Sequence, residues 1–150
     1  MNKLLAVNTM NREFAIKFES NNASVIVENN EFSVWAYMVN SDGKIINDAF
    51  VCSPIIPEEN LDEDYIKLGN PPKLCTEYAT QSAYYPLVSE MDISVKFSDN
   101  GDCCIFLKNE PIAAIYLKES RGFSKSISKV GGFGNPWSNK LFLNTFGYYS

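Results

Sequence analysis

The chain reads as an α+β domain dominated by antiparallel β-sheet: two meander-like segments of about seven strands in all, a long central loop excursion and a short C-terminal helix. Three observations carry this expectation. Apolar side chains recur at period two before residue 52 and again after residue 90. Between those stretches Pro54, Pro57, Pro71, Pro72 and Pro86 interrupt every candidate element, because proline lacks a backbone donor and fixes φ. A closing helix fits 137–146, with Leu141, Leu143 and Phe146 as its apolar contacts. With 150 residues, 45 % hydrophobic and 21 % charged, a single domain spanning 1–150 can bury a substantial core.

Each element follows from local chemistry. In 13–19, Phe14, Ile16 and Phe18 share one face, and Asn21 and Asn22 turn the chain into 24–28, where Val25 and Val27 do the same. After a polar turn at Asn29 and Asn30, the run 32–39 is apolar on both faces, as suits a central strand covered on both sides. Ser41-Asp42-Gly43 returns it to 44–51, which completes a four-stranded meander. Within the excursion, a short helix fits around 59–68 or around 77–84. Met91, Ile93, Val95 and Phe97 then alternate with polar residues, and Asn100-Gly101 supplies the positive φ of a tight hairpin. Strands over 103–108 and 112–118 extend this second meander through an Asn109-Glu110-Pro111 connection. Gly131 to Gly134 forms a turn rather than a phosphate loop, since Asn135-Pro136 stands where a Walker motif carries Lys-Ser/Thr.

Charge is unevenly spread. The net charge is -5, but residues 1–110 hold 8 Lys and Arg against 17 Asp and Glu, a balance of -9, while 111–150 hold 5 against 1, a balance of +4. A surface that is acidic over most of its extent repels nucleic acid and anionic lipid and steers basic proteins toward itself. The expected partner is therefore a protein, not nucleic acid and not a membrane. No apolar stretch approaches the ~20 residues of a spanning helix, and the apolar run 4–7 is too short for a secretory leader. Cys52, Cys75, Cys103 and Cys104 lack C-x-x-C spacing, and a strand would send the last two to opposite faces. Reduced, buried thiols in a cytoplasmic protein are expected.

The chain contains no histidine, which removes the Ser/His and Cys/His nucleophile systems and the commonest metal ligand together. The expectation is a binding protein rather than an enzyme, with no cofactor and no metal. Between Pro57 and Ile66 five carboxylates, Glu58, Glu59, Asp62, Glu63 and Asp64, stand with no basic residue among them. Such a run is either a solvated loop leading into a helix, whose first turn favours carboxylates, or a patch that accepts charge-assisted hydrogen bonds from a partner's Lys and Arg. A calcium loop would need a glycine that 57–68 lacks. A glycosidase pair is weak grounds for an assignment where eighteen acids make close pairs common. Tyr65, Tyr84 and Tyr85 are candidate buried anchors, with Tyr148-Tyr149 a further exposed pair. Arg121, Lys125, Lys129 and Lys140, interleaved with Phe123, Phe133, Trp137 and Phe142, match a single-strand-binding surface in composition, against the overall acidity.

Two segments resemble a family of small bacterial proteins without an assigned activity. In the first, Val25-Ile26-Val27-Glu28, a polar turn and Trp35-Ala36-Tyr37 lead to Lys44-Ile45-Ile46-Asn47-Asp48-Ala49-Phe50-Val51. In the second, Ser94-Val95-Lys96-Phe97-Ser98-Asp99-Asn100-Gly101 leads through Ile105-Phe106-Leu107-Lys108-Asn109-Glu110-Pro111 to Arg121-Gly122-Phe123-Ser124-Lys125. Relatives carry His after that proline and Cys before the last basic residue, where this chain has Ile112 and Ser124, so no metal or thiol chemistry is carried over. In profile, being small, acidic and sheet-rich, the chain is also similar to the immunity proteins of bacterial toxin systems. That similarity implies a cognate toxin domain, cationic and often a nuclease, as the partner. A small hydrolase using a carboxylate pair and a self-associating regulatory module are the alternatives.

Overall fold

Residues 13–147 are described by the computed structural model; the apolar run 4–7 and the Tyr148-Tyr149 pair lie outside the described residues. Period-two alternation produces the first hairpin as expected, with β1 (Phe14–Glu19) against β2 (Ser24–Asn29) and Ile16 opposite Val27. Strands β3 (Val34–Val39) and β4 (Ile45–Cys52) complete a four-stranded antiparallel sheet in meander order. Within 53–89, the only helix is α1 (Glu63–Lys67), at the first of the two places expected. At 77–84 there are turns and a bridge from Ala79 to Ile127 instead.

The second sheet runs β5 (Ile93–Phe97), β6 (Cys103–Leu107), β7 (Glu110–Ile115), β8 (Phe123–Ser124) and β9 (Asn135–Pro136). Three details differ from expectation. Met91 lies not in β5 but in a 3-10 turn, Glu90–Asp92, because Asp92 Oδ2 accepts from the Ser89 amide at 2.9 Å and closes a cap there. The β6–β7 connection is the pair Lys108-Asn109, both at positive φ, a geometry that matches the twist of paired strands. Pro111 then sits inside β7, opposite Phe106, beside a register shift at Ile105/Phe106 that relieves the ladder. Finally, β8 and β9 pair in parallel, and at two residues each they are too short to announce themselves by alternation.

The inner faces of the sheets share one core, in which Val25, Val27, Ala36 and Val51 pack with Cys103, Ile105, Ala113 and Ile115. Helix α2 (Asn139–Phe146) covers the outer face of the second sheet, setting Phe142 and Phe146 on Cys104, Phe106, Ala114 and Tyr116. Residues four apart share a helix face, so the buried stripe is Phe142 and Phe146, and Leu143, an expected contact, is 42 % exposed. The outer face of the first sheet carries Trp35 and Phe50. It is closed by Leu74, Cys75 and Ala83 of the excursion together with Ile127 and Phe133.

The two sheets are joined where the 119–126 segment crosses β4. The Gly122 amide donates to the Asp48 carbonyl at 3.1 Å, Asn47 Nδ2 to the Glu119 carbonyl at 3.1 Å, and Ser126 Oγ to the Val51 carbonyl at 2.7 Å. A Cβ at Gly122 would overlap the Asp48 carbonyl and Ala49. Replacing Gly122 by Ala should therefore destabilise the fold by about 1–3 kcal/mol, the usual cost of overpacking. The same change at Gly132, where no atom lies within 4 Å of the new position, should be close to neutral; urea denaturation of the two variants checks the contrast.

All four cysteines are free and buried. Adjacent residues on β6 do face opposite ways: Cys103 enters the core between the sheets and Cys104 lies under α2. Burial pushes the Cys104 thiol up to about 12, with Lys125 and Lys96 opposing, and raises Cys52 and Cys103 still further. These thiols stay neutral in the fold, whereas in the unfolded chain they ionise near ~8.5. Their contribution to stability is thus complete below about pH 8.5 and is lost as pH rises toward 12. The urea midpoint should hold level from neutrality to about pH 8, then fall, less steeply when Cys104 is replaced by Ala.

Candidate protein-docking face

The excursion is long but not loose. Ser53 donates its amide to the Ala83 carbonyl at 2.8 Å and accepts from the Tyr85 amide at 2.7 Å. Further along, the Glu58 amide donates to the Leu74 carbonyl at 3.0 Å and the Thr76 amide to the Glu58 carbonyl at 2.8 Å. The prolines that preclude regular elements leave backbone groups that pair with neighbouring chain instead. Trp35 Nε1 reaches the Pro72 carbonyl at 3.4 Å, which ties the far limb to β3.

The acidic run occupies the near limb. Asp62 is the N-cap of α1, accepting from the Tyr65 amide at 3.1 Å, and Glu63 and Asp64 fill the first turn, where free amide groups favour negative charge. Folding brings in a cation that the local sequence lacks. Lys73 Nζ lies 3.2 Å from Asp62 Oδ2 and 3.6 Å from Glu58 Oε2, with its side chain only 13 % exposed. It also sits 4.4 Å from the centre of the Tyr65 ring and 5.3 Å from that of Phe32, while those two rings meet edge-on at 6.0 Å. The Tyr65 amide, and then Lys73, hold the Asp62 carboxyl below the ordinary range. Burial opposes the Lys73 ammonium, but Asp62 and Glu58 outweigh it and raise its pKa.

The five carboxylates therefore divide. Glu58 and Asp62 are taken up by Lys73. Glu59, Glu63 and Asp64 are exposed, and among the described residues none of them has an ion pair. Beside them stand Leu61, 44 % exposed, and Leu68, 81 % exposed. Tyr65 is half-buried between Phe32 and Lys73 and joins this face. Tyr84 and Tyr85 do not. Tyr84, 43 % exposed, bridges to Ser53, and Tyr85 packs against the core between the sheets with Lys108 Nζ 5.6 Å from its ring centre. Sequence reasoning missed Lys73, Phe32 and Glu28, whose charge bears on Tyr65; only an excursion folded back on β2 and β3 brings them together.

A groove of about 310 Å³ opens beside the run, with Glu59 and Leu61 on one side and Cys75, Glu77, Tyr78 and Phe133 completing it. Three basic residues of the C-terminal segment, Arg121, Lys125 and Lys129, are engaged by partners of the chain, while Lys140 is exposed. Lys129 Nζ bonds Glu77 Oε2 at 2.7 Å over the Tyr78 ring, an Arg121 guanidinium nitrogen bonds the Gly132 carbonyl at 2.7 Å, and Lys125 lies over Trp137. Phe133 and Phe142 are buried, so they offer no platform for stacking bases. Among the described residues no three Asp, Glu or Cys side chains converge as a metal site, and no helix is long and apolar enough to cross a membrane. Compared with family models, curated proteins and solved structures, the chain matches none.

Because Lys73 holds Asp62 and Tyr65 at once, Lys73→Met should loosen α1 without unfolding the sheets. Hydrogen exchange should speed several-fold at the Tyr65 and Ile66 amides and stay unchanged at Ile105.

Proposed function

We propose that this protein is a non-enzymatic binding protein that neutralises a cationic bacterial toxin domain, in the manner of immunity proteins, by docking it on the excursion. The observation that carries this reading is the set of unpaired carboxylates, Glu59, Glu63 and Asp64, presented with exposed Leu61 and Leu68 on a segment anchored to the first sheet. Charge of one sign raises the encounter rate with a basic surface, and apolar side chains among the charges slow dissociation once water is excluded. A segment already held by backbone hydrogen bonds loses little conformational freedom on binding. The same profile suits action in the cytoplasm, where such a toxin would otherwise reach its target.

The test uses a basic toxin domain encoded beside this gene. Reversing Glu59, Glu63 and Asp64 to Lys should lower the association rate by about 10–100-fold at low salt and flatten its salt dependence. Asp62 is left intact because it caps α1. An association rate and salt slope equal to those of the unaltered protein would refute the docking face.

A further inference from the structure

We infer that the groove beside the acidic run is the seat for one arginine side chain of the cationic partner. This rests on the docking reading above and names the contact that would give it specificity. At about 310 Å³ the groove lies at the bottom of the ~300–1,000 Å³ range of small-molecule sites, a size for one long side chain rather than a cofactor. Two aromatic residues of its lining, Tyr78 and the buried Phe133, are held in place. Tyr78 lies 5.7 Å from Phe133, centre to centre, and closes on Gly131 where any Cβ would overlap its ring.

The charge at the rim is specific. Lys129 engages Oε2 of Glu77, whereas Glu59 has no ion pair among the described residues. The protein also holds its own cations by this chemistry in two places: Lys73 between Asp62 and the Tyr65 ring, and Lys129 between Glu77 and the Tyr78 ring. The groove lining sets a further carboxylate, Glu59, beside this cluster: Lys129, over the Tyr78 ring, is taken up by Glu77, and Glu59 has no ion pair among the described residues. A guanidinium suits it better than an ammonium, being planar, more weakly hydrated, and able to rest against apolar lining such as Leu61 and Pro72 while forking to a carboxylate.

The experiment titrates the full chain with the blocked tripeptide acetyl-Ala-Arg-Ala-amide and follows it by NMR. Saturable shifts are expected at Leu61, Tyr78 and Phe133, with affinity several-fold weaker for the lysine peptide and no binding by the norleucine peptide. Glu59→Gln should weaken the arginine peptide about 5-fold, as expected for one sheltered surface pair. Gly132→Leu, placed where nothing lies within 4 Å, should fill the groove and abolish the shifts. The inference is overturned if the arginine peptide gives no saturable shift at those residues, or if Glu59→Gln leaves its affinity unchanged; the latter test does not depend on the bulky variant folding. Loss of peptide binding while the basic domain still associates with a steep salt dependence would remove the arginine seat alone. Peptide binding that survives when charge reversal at Glu63 and Asp64 has no effect on the domain would remove the docking reading instead.

Discussion

Two aromatic side chains on the outer face of the first sheet set the terms for the rest of the molecule. Trp35 and Phe50 are paired across β3 and β4, pack edge-to-face at 5.2 Å, and point away from the core that the sheets share. Leaving them in water would forfeit about 2–3 kcal/mol each. Something must therefore cover that face, and the chain supplies 53–89 and 125–134 to do it, with Leu74, Ala83, Ile127 and Phe133 as the covering residues. The excursion leaves β4 at Ser53, lays Leu74, Cys75 and Ala83 on that face, and comes back to bridge Ser53 at Tyr84. Its order comes from the requirement that it lie flat over Trp35 and Phe50.

The placement of charge follows from that covering. A segment lying on the sheet has a buried side and a solvent side, and Lys73 falls where it meets the inner carboxylates, Glu58 and Asp62, against Tyr65 and Phe32. The outer carboxylates, Glu59, Glu63 and Asp64, face water. The basic C-terminal segment, which by sequence stands apart from the acidic one, folds back along it: the Thr80 amide donates to the Ser126 carbonyl at 2.9 Å and the Ser128 amide to the Tyr78 carbonyl at 2.8 Å. Lopsided charge along the chain thus becomes local neutralisation at Lys73 and Lys129, with a remnant of negative charge around α1.

Wherever one face of an element is packed and the other wet, the sequence was legible. The hairpins at 14–29 and 93–107 and the opposed directions of Cys103 and Cys104 follow from period-two alternation, while β3, covered on both faces, was legible instead from its unbroken apolar run. Of the three contacts expected of α2, Phe146 is buried and Leu141 packs against the same cluster, while Leu143 is exposed; only contact with Cys104 and Phe106 singles out Phe142 as the other buried side chain. The parallel pairing of β8 with β9 left no trace in sequence, since two residues carry no period.

By itself, then, the sequence determined a two-sheet antiparallel protein with an aperiodic, acidic middle and no histidine chemistry, because alternation, proline and composition are local properties. Only the tertiary structure decided which carboxylates remain free, that Tyr65 joins the acidic face while Tyr85 serves the core, and that Glu59 borders a groove floored by Tyr78 and Phe133. Those outcomes depend on residues such as Phe32 and Lys73 meeting across forty positions of chain, and what brings them together is the need to bury Trp35 and Phe50.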